Sequence, residues 1–413
     1  MHTAKPKILI INTAETKGGA AVACNRLHLG LREMGYDSKM LVRHKSSNDE
    51  SVIVFTESKF KMNFNLFLFY VELFILKFFK RKGVDFSLGR FGAGLHNHPL
   101  VKEADVIHIH WTQNSFLSLD DLQKLEKMGK KIIWTLHDMW AFTGGCHYNQ
   151  SCDKFKTSCN ACPALQNTSI IDFSKQIFEK KKKIYSKNIE IVTPSVWLGR
   201  ESMSSALLKN NKHHVIPYNI DFNLFKQKDK AEAKKFFGIS AEKKIILFVS
   251  MNVDDARKGF QYLKSAILDL EKSDTLFSTK YEILAIGRNN DEIHFKTKVH
   301  YTGRLSDFEK ISMAYSAADV FVAPSVQDNL PNTVIESLAC GTPVVAFNIG
   351  GMVDMIEHES NGYIARFGSE KELANGILYC TSKDLTENCV QSARKKFDTH
   401  KNVSQYIELY HVV

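Results

Sequence analysis

Short, largely apolar runs recur along this chain, at 8–11, 39–42, 106–110, 131–136, 189–193, 244–250, 282–287, 299–303, 320–323 and 344–347. Runs of that length without regular polar alternation mark strands covered on both faces, as in a parallel sheet. Between them, apolar positions recur at helical spacing. Val22, Leu27, Leu31 and Met34 fall on one side of a helix that Gly35 ends. Farther on, Pro331 suits a first helical turn, Val334, Ile335, Leu338 and Ala339 share a face, and Gly341 and Pro343 stop the helix. Glu336 falls off that face. Strands alternating with helices predict an α/β protein of doubly wound parallel sheets.

The 413 residues exceed one typical core, so two domains of roughly 200 residues are expected. Pro217, Asn219 and Asp221 supply linker chemistry, which places the boundary near Tyr218. The first domain is then 1–218 and the second 219–390, with a closing helix over 391–413. Hydrophobic content of 44% and charged content of 24% are those of a soluble globular protein. A net charge of +10 asks for an anionic partner: nucleic acid, anionic lipid or a diphosphate. Scattered lysines without an Arg-rich or aromatic stripe argue against nucleic acid. The apolar run at 8–11 is too short for a secretory leader, so a cytoplasmic location is expected. The eight cysteines are then thiols or metal ligands.

The stretch 319–347, DVFVAPSVQDNLPNTVIESLACGTPVVAF, reads as strand, loop, helix, strand. Its loop leaves the carboxyl end of a strand, where open α/β sheets bind ligands. The helix behind it offers the free N–H groups of its first turn, at Asn332 and Thr333, to a phosphate. Asp328 and Glu336 are eight positions apart, so one can approach a sugar while the other accepts hydrogen bonds from hydroxyls. Two solvated acids on an ordinary crossover are the plainer reading. Gly18 and Gly19 follow the first strand, as a tight turn or as a place where backbone N–H groups meet a phosphate. His137 ends the strand 131–136, as a satisfied polar residue or as a group facing a ligand. Arg257 and Lys258 precede Gly259 beyond the strand 244–250, and fixed cations stabilise a departing diphosphate.

The 319–347 stretch closely resembles the signature of the family 4 retaining glycosyltransferases, here of the polysaccharide-building kind. In that signature two glutamates separated by seven residues precede a small-residue, Gly, Pro, Val, Val run. Asp328 stands where the first glutamate is usual, one methylene shorter. The resemblance covers most of the chain apart from 59–82, and it implies the GT-B arrangement: two Rossmann-like domains facing across a cleft, the closing helix returning to the first. It implies retaining transfer of a sugar from a nucleotide-diphosphate donor to a saccharide acceptor, lipid-linked, in cell-surface polysaccharide synthesis, with no metal in catalysis. By resemblance Glu336 holds the ribose hydroxyls, Asp328 the sugar, and Lys258 with Arg257 the diphosphate. His137 contacts the sugar near the reacting carbon, while Gly18 and Gly19 face donor and acceptor. The family's arginine usually lies several residues earlier, where Asn252 and Val253 stand. Two other classes stay open. One is a basic nucleic-acid-binding protein with a cysteine cluster; the other is a phosphorylase-like enzyme, for which no pyridoxal-phosphate motif is apparent.

Residues 59–82, KFKMNFNLFLFYVELFILKFFKRK, are the most hydrophobic part of the chain. A bilayer span needs about 20 mostly apolar residues, and Lys61, Glu72 and Lys77 interrupt this one. Lys61, Asn65 and Glu72 share a helical stripe, which suits a peripheral helix on the anionic inner face of the membrane; packing on its own domain is the alternative. The excursion 144–165 carries Cys146, Cys152, Cys159 and Cys162, the last two as C-x-x-C. Four thiolates suit structural zinc, against free thiols or a redox pair. A similar insert occurs in a subset of the family that shares the HIHW and TLHDMW segments. The lysines of 175–187 read as the solvated face of a helix packed through Ile177, Phe178, Ile184 and Tyr185.

Overall fold

Seven parallel strands form the first sheet: β1 (Ile8–Ile11), β2 (Ser38–Val42), β3 (Val52–Val54), β4 (Val106–Ile109), β5 (Lys131–Thr135), β6 (Glu190–Thr193) and β7 (His213–Val215). Six more form the second: β8 (Lys244–Asn252), β9 (Tyr281–Arg288), β10 (Val299–Tyr301), β11 (Val320–Ala323), β12 (Val344–Phe347) and β13 (Gly362–Ala365). The computed structural model describes residues 5–253, 255–288 and 295–411. Strand order is β3-β2-β1-β4-β5-β6-β7 in one sheet and β10-β9-β8-β11-β12-β13 in the other. Each order reverses once, between β1 and β4 and between β8 and β11. Open α/β sheets bind ligands outside the carboxyl ends of the strands at such reversals. Every residue of β1, β4, β11 and β12 is buried, as their continuous apolar runs require in a sheet covered on both sides.

Two compact units result, 1–219 with 399–413, and 220–398. The closing segment is not the one helix expected from 391 onward. A helix Thr386–Phe397 belongs to the second unit and a helix Thr399–Tyr410 to the first, with Asp398 between them at φ −59°, ψ 129°. Cys389, Ser392, Ala393 and Phe397 are the buried residues of one helix, and Asn402, Val403, Tyr406 and Tyr410 of the other. The extended backbone of Asp398 breaks the run into two helices. Within the first unit the last helix packs closely on the helix Gly19–Glu33, where a Cβ on Gly30 would lie 2.8 Å from Val403 Cγ2. Its tyrosine hydroxyls enter the core satisfied: Tyr410 is 2.7 Å from His108 Nδ1, and Tyr406 is 3.3 Å from Thr135 Oγ1.

The aromatic segment is one helix, Lys59–Phe79, long and apolar enough by composition to cross a membrane. Its polar stripe faces inward, opposite to a helix that floats on a surface with its polar side in water. Asn65, Glu72 and Leu76 are the buried residues. Asn65 Nδ2 donates to Ser115 O at 2.7 Å, while Glu72 accepts from Leu88 N at 2.7 Å and Ser115 Oγ at 2.9 Å. Burial raises the Glu72 carboxyl above its usual range despite these donors. Only Lys61 of the expected stripe is exposed. The basic helix, Phe173–Ile184, departs from expectation at one lysine: Lys181 is fully buried. Its Nζ donates to Trp140 O and to Thr143 O, and it lies 3.7 Å above the Trp140 ring. Burial lowers its pKa to about 7.

Candidate active site

In the second unit the loop after β11 is gripped from two sides. Val326 N donates to Arg257 O at 2.9 Å, and Gly351 N donates to Asp328 O at 3.3 Å. Gly259 and Gly350 permit this closeness. Both have positive φ, 70° and 50°, and a Cβ on either would lie 1.9 Å from a loop carbonyl, of Pro324 and Asp328 respectively. The held loop turns Asp328 into the protein, where it is 7% exposed. Lys258 Nζ donates to its Oδ2 at 2.6 Å, Arg257 Nη1 lies 3.4 Å from the same oxygen, and Ser325 Oγ donates at 3.3 Å. Burial by itself would raise the Asp328 carboxyl; the two cations outweigh it and hold the group below its usual range.

Asp328, Lys258 and Arg257 are thus one cluster, with both cations on the carboxylate. Arg257 also donates to Gln327 O at 3.2 Å. Beside the cluster a small cavity is lined by Phe248 and Val249 of β8, Phe321 and Ala323 of β11, and Lys258, Ser325 and Thr333 among others. It sits at the reversal of strand order, next to the first turn of the helix Asn332–Ala339, which Asn332 and Thr333 open. Glu336 is buried, 6% exposed, contrary to its place off the apolar face of that helix. The neighbouring helix Phe308–Ala317 covers it, and Tyr315 Oη donates to Glu336 Oε2 at 3.1 Å. Sequence periodicity sees only one helix at a time, so Tyr315 was not foreseen.

In the first unit Gly18 caps the helix Gly19–Glu33 with φ 100°, a conformation that favours glycine, at the carboxyl side of β1. His137 follows β5. Its Nε2 is 3.0 Å from His110 Nδ1, and its Nδ1 is 2.6 Å from Tyr218 Oη. Burial lowers the pKa of His137 to about 4, so the ring is neutral near pH 7. Asp138 turns the other way. It accepts from Trp111 Nε1 at 2.9 Å and Trp140 N at 2.8 Å, and pairs with His147 Nδ1 at 2.7 Å. His110 and Tyr218 were not foreseen as partners of His137; the HIHW segment was the available signal for the first.

Cys146, Cys152, Cys159 and Cys162 line one small cavity with Thr143, Asn149 and Phe155. Gly144 N donates to Cys159 Sγ at 3.2 Å. The hydrogen bond with Cys162, with burial behind it, raises the Cys146 thiol, and the same bond lowers Cys162 to about 7. As placed, no group of three or more His, Cys, Asp or Glu among the described residues surrounds a metal-sized point.

Residues 243–383, all in the second unit, match the family model described as Glycosyl transferases group 1. Among curated proteins, N-acetyl-alpha-D-glucosaminyl L-malate synthase of Bacillus anthracis is 25% identical over 215 residues, 50% of this chain and 56% of that protein. The match therefore spans a little over half the length of that relative. A putative colanic acid biosynthesis glycosyl transferase, WcaC of Escherichia coli (strain K12), is 22% identical over 98% of this chain and 99% of its own. Among solved structures, sucrose-phosphate synthase from Thermosynechococcus elongatus superposes with TM-score 0.66 at 18% identity, covering 98% of both chains. Anabaena HepE in complex with UDP and glucose gives 0.62 at 18%, covering 98% and 99%. These two likenesses show that the fold is shared.

Proposed function

We propose that this chain, a glycosyltransferase whose second unit carries the group 1 domain, moves a sugar from a nucleotide-diphosphate donor to a lipid-linked saccharide in cell-surface polysaccharide synthesis, with retention at the transferred carbon. The observation that carries the reading is the Lys258, Arg257 and Asp328 cluster beside a helix N-terminus at the β8/β11 reversal. As the bond from the sugar to the diphosphate breaks, negative charge grows on the leaving group. Lys258 and Arg257 stabilise that charge, and the N–H groups of Asn332 and Thr333 add to it. Asp328 holds the sugar, Glu336 the ribose hydroxyls. The first unit takes the acceptor, with Gly18 and Gly19 at its phosphate side and His137 toward the sugar.

The reading places the enzyme on the inner face of the membrane, where a lipid-linked acceptor is confined. The inward polar stripe of Lys59–Phe79 supports it, because that turn leaves Phe60, Phe64, Phe67, Phe74 and Phe78 exposed. Structural zinc on Cys146, Cys152, Cys159 and Cys162 belongs to the same proposal. It is supported by the shared cavity and by the Gly144 N–H that donates to the Cys159 sulfur. Zinc would tie the excursion together without entering the chemistry.

Heating the protein with a panel of nucleotide sugars tests the donor assignment, since a ligand that binds only the native state raises the unfolding temperature. One donor should raise it while the others do not. A panel that gives no shift, with transfer absent from lipid-linked acceptors, would remove the reading.

A further inference from the structure

The last turn of the aromatic helix Lys59–Phe79 is capped by side chains from the far end of the cysteine-bearing excursion. Helix ends leave their final carbonyls without intrahelical partners. Here Asn167 Nδ2 donates to Phe78 O at 2.9 Å, Gln166 Nε2 to Phe78 O at 3.3 Å, and Gln166 N to Phe79 O at 2.7 Å. Lys80 pairs with Leu165 in an antiparallel bridge, and Arg81 N donates to Ala164 O at 3.0 Å. Phe79 meets Phe173 edge to face, 4.9 Å between centroids. The excursion is therefore fastened to the end of the helix.

Beyond the cap the chain turns at Asn167, φ 60°, and the amides of Ile170 and Ile171 both reach back to its carbonyl. The turn presents Ile170 at 74% exposure and Ile171 at 36%. Each is an apolar side chain left in water, three and four residues beyond Asn167, which holds the carbonyl of Phe78, itself 51% exposed. Along the helix Phe60, Phe64, Phe67, Tyr70, Phe74 and Phe78 form a stripe with helical period, all exposed. A row of exposed aromatic side chains with two exposed isoleucines near its end signals a partner. The charges choose its kind. Lys59, Lys61, Lys77, Arg81 and Lys82 are exposed around the stripe, while Glu72, the one acid of the helix, is turned inward. From 163 to 171, across the end of the excursion and the turn that follows it, the chain carries no charged residue.

We propose that Ile170 and Ile171 are a second insertion point for an anionic bilayer, so that the aromatic helix and the cysteine-bearing excursion dock as one surface. This rests on the membrane reading above and adds to it a task for the segment after the excursion: tethering the 167–171 turn to the helix end. Apolar side chains enter the acyl boundary while the cations meet lipid phosphates. Two points fix the orientation of the unit on the surface, which a lone helix, free to roll about its axis, does not.

The test is sedimentation of the full chain with vesicles of phosphatidylglycerol and phosphatidylcholine, against phosphatidylcholine alone. Wild type should bind the anionic vesicles. The double variant Ile170→Ser, Ile171→Ser should bind about tenfold more weakly, with its donor-induced rise in unfolding temperature unchanged. Phe74→Ser with Phe78→Ser should weaken binding as well, and all four together should abolish it. Undiminished binding by the isoleucine variant, with the phenylalanine variant impaired, overturns the second insertion point and leaves the membrane reading standing. Failure of wild type to bind any vesicle overturns both. If sedimentation velocity shows a dimer that the isoleucine variant dissociates, the surface serves a second copy of the chain and the proposal is wrong.

Discussion

Lys258 Nζ donates to Asp328 Oδ2 across 2.6 Å, so the cation assigned to the departing diphosphate is held by the carboxylate assigned to the sugar. A buried carboxylate left unpaired is costly, and the half-buried Lys258 satisfies Asp328 until an anionic donor draws the cation away. Asp328→Asn should therefore leave nucleotide-diphosphate affinity equal or higher, because the carboxylate no longer competes with the diphosphate for Lys258 and Arg257. Transfer should fall by about 10²-fold to 10³-fold, the usual cost of removing one electrostatic contact made in the transition state. Steady-state kinetics with product inhibition read both numbers. An equal loss of diphosphate affinity and rate would count against this division of roles.

Glu336 and Tyr315 make the next prediction. Removing the carboxylate breaks the buried 3.1 Å bond from the Tyr315 hydroxyl, so Glu336→Ala should cost about 1–3 kcal/mol of stability. Glu336→Gln keeps an acceptor and should fold nearly as wild type. Both should lose the donor-induced rise in unfolding temperature, if Glu336 holds the ribose. Retention of the shift in the Gln variant at the wild-type donor concentration would reassign the residue to structure.

Gly350 stands at φ 50° with Asp328 O where its Cβ would be. Gly350→Ala should displace the loop that holds Asp328 and cost about 1–3 kcal/mol. Activity should fall with it. Gly351, at φ −85°, accepts a side chain without backbone strain and is the control. Thermal unfolding and turnover of both variants decide the matter.

Acid should weaken the first unit through its buried histidines. Burial depresses His28 to about 4, His108 to about 3 and His137 to about 4, from an ordinary value of 6.5. In each case the unfolded chain binds the proton more readily. Stability is thus full above about pH 6.5 and is lost as pH falls toward 4, by about 3 kcal/mol for His28 alone. Urea unfolding at pH 7.5 and pH 5 should show the lower midpoint at pH 5. Equal midpoints would mean that these rings titrate as exposed ones do.

Zinc, if it binds the four cysteines, should appear at about one ion per chain by elemental analysis of protein purified without chelators. Chelation should then expose the excursion to proteolysis while the strands of both units persist. Metal-free protein with the same proteolytic resistance would leave the thiols as packing groups.

Strands were legible because the period is local: continuous apolar runs such as 8–11 and 344–347 have no arrangement except burial on both faces. The loop at 328 was legible for a similar reason, since a strand, a proline-started helix and two acids follow one another along the chain. The sequence by itself determined those elements, their parallel class, and the residue types at the site. What it left undecided were partners far away in sequence. Glu336 looked solvated until the helix Phe308–Ala317 brought Tyr315 over it, and His137 could not be read as bonded to His110 and Tyr218. Asn65 and Glu72 gave the right helix and the wrong face. Their hydrogen-bonding capacity could be met by water or by Ser115 and Leu88, and only the packed unit supplies the latter. Local period fixes which side chains share a face. Tertiary packing decides whether that face meets protein or solvent, because buried polar groups go where their partners are.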